Sequence, residues 1–301
     1  MKRSLKHHLN HLYRESLTKI DPFDPISRVR RYKNTEDREA SGLIAAALAY
    51  GQIKQILTSV DHVLAVLSEH PASYLSRASL TRLETALAGF THRFADHQTL
   101  ALLLYAMGRT FRTGRRLGDI FILGHQEAGG DLRDALVSFV DHLRKHARDG
   151  LERQTRSGRG GVTPDRRARL MKGLSHLISS PEDGSACKRM NLFLRWMVRR
   201  DDGLDLGLWP EIDPSKLIMP LDTHTVRVSR RLGLLTRKTA DWKAAVELTE
   251  NLKRFDPKDP VKYDFALSHL GSEGPCRKNP NEEDCKRCTL LGFCTSGKGG
   301  L

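Results

Sequence analysis

Apolar residues recur at helical spacing along most of the chain, and this period restricts the fold more than any other feature. Apolar positions at i, i+3, i+4 and i+7 place one face of a helix against a core. Stretches with this period begin at Ile53, Leu132, Leu170 and Trp242. The chain has no sustained alternation of apolar and polar residues bounded by turn residues, which would indicate strands. The sequence therefore predicts an all-α protein.

The charge balance suggests a partner class. Lysine and arginine outnumber aspartate and glutamate by 50 to 36 over 301 residues, which gives a formal net charge of +14. Such an excess favours a polyanion, most simply nucleic acid, although a generic basic protein would share it. Residues 144–172 are especially basic and would form either a solvated loop or a phosphate contact. No apolar run reaches 18 residues and residues 1–17 lack a secretory core, so we expect a cytoplasmic protein and no membrane partner.

Four of the five cysteines lie close together near the end of the sequence. Cys276, Cys285, Cys288 and Cys294 follow the spacing C-x8-C-x2-C-x5-C, whereas Cys187 stands alone. A reduced chain rarely uses such a group for disulfides, so metal binding is the better interpretation. Four thiolates suit either a closed tetrahedral zinc site or a [4Fe–4S] cluster. The spacing alone leaves zinc and iron–sulfur open.

A lysine and an aspartate stand at two predicted helix starts. Lys188 follows a turn that contains Gly184, and the positive helix end and Arg189 disfavour a charged ammonium there. Such a lysine is a phosphate contact, a nucleophile with a lowered pKa, or an ordinary solvated side chain. Asp222 is well placed to cap the next helix, and a catalytic role would require it to face Lys188.

The order of these elements resembles the endonuclease III-like helix-hairpin-helix DNA glycosylases. The shared elements are the glycine turn with Lys188, the stretch Leu221–Val228, and the four-cysteine loop. The departures are Ala186 at the hairpin's second glycine, Thr225 in place of valine or isoleucine, and eight residues instead of six after the first loop cysteine. The combination is specific although each motif alone is modest, and it suggests a bacterial branch of the superfamily.

The resemblance implies two helical lobes with a central cleft. One lobe would comprise residues 37–204, with the hairpin and the lysine. The second would combine residues 1–36 with 205–301, with the aspartate and a structural [4Fe–4S] loop, zinc being the alternative. The protein would be a monomer associated with the nucleoid.

The implied activity is DNA base-excision repair by a glycosylase that also has AP lyase activity on duplex DNA with a damaged base. Lys188 would be the nucleophile and Asp222 its assisting carboxylate. The expected DNA contacts are Gln52, Gly184, Ser185, Arg189, Asn191, His224, Arg227, Arg277, Lys286 and Arg287. Two alternatives are a non-catalytic nucleic-acid-binding protein of the same fold and a zinc-stabilised helical interaction protein.

Overall fold

The structure, a computed structural model, describes residues 4–18, 24–156 and 162–295 and is built almost entirely of helices. The α-helices in this part of the chain are α1 (Leu5–Thr18), α2 (Ile26–Val29), α3 (Thr35–Ala47), α4 (Ile53–Leu67), α5 (Pro71–Arg77), α6 (Leu80–Ala86), α7 (His97–Arg112), α8 (Leu117–Glu127), α9 (Leu132–Arg156), α10 (Pro164–Leu177), α11 (Lys188–Val198), α12 (Thr223–Arg231), α13 (Trp242–Lys253), α14 (Asp264–Ser272) and α15 (Glu282–Lys286). The strands β1 (Thr91–His92) and β2 (Ala95–Asp96) form a short antiparallel hairpin. The all-α prediction is confirmed.

The chain divides into two compact units. One contains the described residues of Asp21–Asp183 and Gly207–Glu211, and the other contains those of Met1–Ile20, Gly184–Leu206 and Ile212–Leu301. Residues 184–204, expected in the first lobe, therefore group with the segments from both ends of the sequence. None of the helices that the structure describes is both long enough and apolar enough to cross a membrane.

In the unit that holds α2 to α10, the central helix is α7. Every residue from Thr99 to Gly108 is buried, because α5, α6, α9 and α10 all pack against this helix. A helix that is apolar on all sides is stable only when it is surrounded. Its first turn is capped by Asp96, whose side chain accepts a hydrogen bond from the Thr99 N–H at 2.8 Å.

A buried glutamate attaches the short segment Gly207–Glu211 to this unit. The Glu39 side chain on α3 is fully buried and accepts hydrogen bonds from Trp209 Nε1 at 2.7 Å and from the Gly118 N–H at 3.2 Å. The Trp209 ring stacks on Phe121 with a centroid distance of 5.4 Å. Burial raises the pKa of Glu39 to about 7, although both donors act to lower it.

The Glu39 pKa predicts a pH-dependent stability. The folded protein holds this proton more tightly than the unfolded chain does, so Glu39 should lower the free energy of unfolding as the pH rises from about 4.5 to about 7. Glu39→Gln should remove about 2–4 kcal/mol of this dependence. We would measure urea unfolding at pH 5 and pH 8 for the parent, for Glu39→Gln and for a control, Glu36→Gln, at an exposed position of the same helix. An identical pH dependence in all three proteins would contradict the prediction.

In the other unit, a buried arginine of α11 and the residue that directly follows this helix form an ionic network. Arg195 and Arg199 are 4% and 2% exposed, which requires that their charges be paired. Both bind Asp205, which is fully buried. Arg195 also binds Asp264, and the further partners of Arg199 are Asp202, Asp259 and the hydroxyl of Tyr13. The network therefore joins α1, α11, α14 and the segment after α11.

Candidate active site and cysteine loop

The turn before α11 has an unusual backbone. Gly184 has φ +70°, and Cys187 has φ +51° in the left-handed region, which costs a non-glycine residue of order 1–3 kcal/mol. The turn is fixed by short hydrogen bonds, since the Cys187 N–H donates to Ser185 Oγ at 3.0 Å and Asn191 Nδ2 donates to the Ala186 carbonyl at 3.0 Å. Strained residues of this kind concentrate at functional sites. Here the strained residue directly precedes Lys188.

Lys188 is the first residue of α11, as the sequence predicted, and it faces acidic side chains. Burial lowers the pKa of Lys188, and the charges of Arg189 and Arg195 lower it further, whereas Asp222 and Asp264 act in the opposite direction. We expected the helix end and Arg189 to be the cause, but burial has the larger effect. The depressed pKa enlarges the fraction of neutral amine, which is the nucleophilic form.

Asp222 caps α12 as the sequence predicted. One carboxylate oxygen accepts from the Thr225 N–H at 2.6 Å and the other accepts from the Ser268 hydroxyl at 2.8 Å. Burial acts to raise the pKa of Asp222, but these donors and the charge of Lys188 outweigh it, so the pKa lies below its usual value. Asp222 is therefore held as a fixed carboxylate beside Lys188.

Sequence reasoning missed a second carboxyl group at this site. Asp264, the first residue of α14, is 6% exposed and binds Arg195. Burial raises the pKa of Asp264 to about 6, with Asp222 also raising it and with Arg195 and Lys188 lowering it. The site thus combines one amine with two carboxyl groups of different proton affinity. The only sequence signal was an aspartate at a helix start, which is ordinarily a cap.

The expected DNA contacts are not all available to a ligand. Gly184 is exposed, and Ser185 and Arg189 are half-buried around the turn. Asn191 is 1% exposed and bonds inward to the turn, so it shapes the loop and does not present a surface. Gln52 is exposed and precedes α4 in the other unit.

Two arginines of α12 hold the cysteine loop. Arg227 donates to the carbonyls of Gly271 at 2.6 Å and of Cys276 at 3.3 Å, and it also contacts the ring of His224, another of the expected DNA contacts. Arg231, which sequence reasoning did not single out, donates to Cys276 Sγ at 3.2 Å and to the carbonyls of residues 277 and 278. Both arginines therefore have structural roles. The Arg227 guanidinium donates hydrogen bonds to backbone carbonyls of the protein, whereas we expected it to contact DNA.

The four loop cysteines, Cys276, Cys285, Cys288 and Cys294, are half-buried and interact electrostatically at Cys288. Burial raises the pKa of Cys288, and the neighbouring cysteines add to that effect. As these side chains lie, no three His, Cys, Asp or Glu residues of the described part are arranged to hold a metal ion. The chemistry of the donor set, four cysteine thiols in one short loop, suits a four-thiolate centre.

The basic residues of this region differ in their availability. Arg277, Lys286 and Arg287 are exposed, but Lys286 pairs with Glu282 at 2.8 Å and Arg287 pairs with Asp284 at 3.0 Å. Such surface pairs are weak and exchange readily for phosphate.

The basic segment 144–172 is partly paired within its own unit. Four of its arginines bind carboxylates, in the pairs Arg144–Asp183, Arg166–Glu84, Arg167–Glu152 and Arg169–Asp96. These pairs reduce the charge that the segment offers to a polyanion. Residues 157–161 lie outside the part of the chain that the structure describes.

Together, these features define a helical protein with a lysine and two carboxyl groups at the junction of three helix starts. A family model described as "Protein of unknown function (DUF2400)" matches residues 24–273. Because this match covers most of the chain, the protein belongs to the DUF2400 family. The matched region contains Lys188, Asp222 and Asp264 and ends before Cys276. No curated protein and no solved structure matches the chain.

Proposed function

We propose that this protein is a DNA glycosylase of base-excision repair with AP lyase activity, and that Lys188 is its nucleophile. The observation that carries the proposal is the placement of Lys188 beside Asp222 and Asp264, in surroundings that lower its pKa. Buried lysines with a depressed pKa are typical of Schiff-base chemistry, and perturbed groups of this kind concentrate at functional sites. The resemblance to helix-hairpin-helix glycosylases and the net charge of +14 support duplex DNA as the substrate.

The reaction begins when a damaged nucleotide is rotated out of the duplex. The neutral amine of Lys188 attacks C1′, the bond from C1′ to the base breaks, and the base leaves with the bonding electron pair. Asp222 accepts the proton that the amine loses and stabilises the positive charge that develops on the sugar. Ring opening gives a Schiff base. Loss of a C2′ proton then breaks the bond between C3′ and its oxygen, which releases the 3′ phosphate.

The two carboxyl groups have separate roles in this scheme. Asp222 accepts hydrogen bonds at both oxygens and has a lowered pKa, so it is ionised before the attack and can both stabilise positive charge and receive the proton from the amine. Asp264 has a pKa of about 6 and is bound by Arg195, so it helps to set the charge balance around the amine. Pairs of acids with divergent pKa values are a common way to divide roles at pH 7.

The cysteine loop is proposed to hold a [4Fe–4S] cluster through Cys276, Cys285, Cys288 and Cys294, with zinc as the alternative. The four cysteine thiolates would bind the metal, and these bonds would fix the conformation of the loop. In this proposal the metal is structural and takes no part in the reaction at C1′. Arg227 and Arg231 join this loop to α12 through bonds to the carbonyls of residues 276 and 277, so the loop would hold its exposed basic residues in fixed positions.

The experiment that tests the activity is borohydride trapping with the full chain and a panel of duplexes that each contain one damaged base or an abasic site. Borohydride reduces the Schiff base, so a covalent protein–DNA complex is the expected product. Failure to trap on every duplex, with duplex binding retained, would overturn the catalytic proposal and favour a non-catalytic DNA-binding protein.

A second experiment tests the metal. Cys187 is fully buried at the start of α11 and is not a member of the loop group, so Cys187→Ser should leave the iron per chain unchanged after anaerobic purification. Cys288→Ser should lower the iron content sharply, with loss of a broad visible absorbance. Equal losses of iron in both variants would contradict the proposed set of ligands. If the parent protein contains zinc instead of iron, the loop holds a zinc site and not an iron–sulfur cluster.

A further inference from the structure

A cavity in the unit of α2 to α10 is lined by arginines. It has a volume of about 740 Å³ and lies among α5, α6, α7 and α9, all within one unit. This volume is within the range of about 300–1,000 Å³ that is usual for small-molecule sites. Five arginines line it, namely Arg77, Arg82, Arg109, Arg112 and Arg153.

The charge of this cavity is not neutralised by the protein. No aspartate or glutamate lines it, and none of the five arginines forms an ion pair with a carboxylate in the described residues. Glu84 on α6 is engaged elsewhere, because it binds Arg166 at 2.7 Å and Gln154 at 2.8 Å. Like charges gathered around a concave surface repel one another and create a strong positive potential that a bound anion would relieve.

The floor of the cavity is rigid and aromatic. A Cβ atom at Gly150 on α9 would lie only 2.4 Å from the Tyr105 ring, so this glycine lets the ring lie directly against the helix. A Cβ atom at Gly108 would lie 2.2 Å from the Leu75 carbonyl, which places α5 and α7 in backbone contact. The Arg82 guanidinium lies over the Tyr74 ring, 5.3 Å from the ring centroid. The arginines therefore project from closely packed helices, which fixes the backbone positions that carry them, while four of the five side chains are exposed to a ligand.

We propose that this arginine cavity binds a nucleotide-sized ligand that carries two or more phosphate groups. Guanidinium groups bind phosphate oxygens through paired hydrogen bonds, and five of them suit several phosphates at once. The arginines surround a concavity formed by four helices, which suits a compact polyphosphate better than an extended nucleic-acid backbone. The proposal is independent of the function proposed for Lys188.

The test measures binding of a fluorescently labelled adenosine triphosphate to the full chain by anisotropy, with inorganic tripolyphosphate as the competitor. The cavity variant is Arg109→Gln/Arg153→Gln. The matched control is Arg148→Gln/Arg156→Gln, which removes two exposed arginines of α9 outside the cavity. We expect saturable binding that tripolyphosphate displaces, at least tenfold weaker in the cavity variant and changed less than twofold in the control. Unfolding midpoints of all three proteins establish that each one is folded.

Three results would overturn the proposal. The first is the absence of saturable binding in the parent. The second is an equal loss in both variants, which would indicate a response to net charge alone. The third is a cavity variant that binds the labelled triphosphate normally but loses affinity for a labelled DNA duplex, which would make this surface a backbone contact. None of these results bears on borohydride trapping, so the two proposals fail separately.

Discussion

Lys188→Ala is expected to abolish the covalent complex that borohydride traps between the protein and abasic or damaged DNA. The amine that forms the Schiff base is then missing, and no water molecule can replace it in that step. Binding to the duplex should remain within a few-fold of the parent, because the phosphates are bound by many other basic side chains. The measurement is trapped product against time beside a duplex titration at one salt concentration.

The matched control is Lys243→Ala. Lys243 is an exposed lysine in the first turn of α13, so it shares the helix-start position of Lys188 but not its surroundings. Lys243→Ala should trap like the parent. If Lys188→Ala traps equally well, the nucleophile is another group.

The variant Asp222→Asn tests the role of the assisting carboxylate while leaving the nucleophile Lys188 in place. Asparagine caps helices as well as aspartate does, so α12 should keep its start and the protein its duplex binding. Base release should slow by a factor on the order of 10²–10⁴, the usual contribution of one acid–base group. The lowered pKa of Lys188 also predicts that the parent's rate rises with pH through a pKa below the ordinary lysine value of about 10.4, because the neutral amine is the reactive form.

The second large effect is expected on stability, from Arg199→Met. This change would leave Asp202, Asp205 and Asp259 without their shared cation, and Asp205 is fully buried. Removing one partner of a buried ionic group costs about 3–5 kcal/mol, because the remaining charges stay uncompensated. The control is Arg200→Met, since Arg200 is the exposed neighbour in sequence. Urea unfolding should show the loss in Arg199→Met only, and similar values for both variants would refute the prediction.

The features that could be predicted from sequence are local ones. A helix period, a glycine turn and an aspartate cap each depend on a few neighbouring residues, so the all-α fold and the positions of Lys188 and Asp222 at helix starts followed directly. Asp264 and Arg231 could not be found in this way. Their importance comes from partners far along the chain, Arg195 in one case and the carbonyls of the cysteine loop in the other.

Two other expectations depend on long-range contacts in a related way. The family resemblance placed residues 184–204 with the first lobe, whereas the network of Arg195 and Arg199 joins α11 to α1 and α14. Asn191 was expected to face DNA because it stands in the right motif, but its amide bonds to the Ala186 carbonyl inside the protein. A match to a motif predicts which residue type stands at a position, but it does not predict the direction in which the side chain points.

The division of the chain into units has a consequence for how the protein is made. The unit with α2 to α10 is almost continuous in sequence, so it can fold while the remainder is still being translated. In contrast, α1 packs against α14, which leaves the ribosome much later. At about 5–20 residues per second, the apolar side chains of Leu9 and Tyr13 wait roughly 10–50 s for their partners. During synthesis the apolar face of α1 is therefore exposed for this time, and we expect it to bind a chaperone until α14 is made.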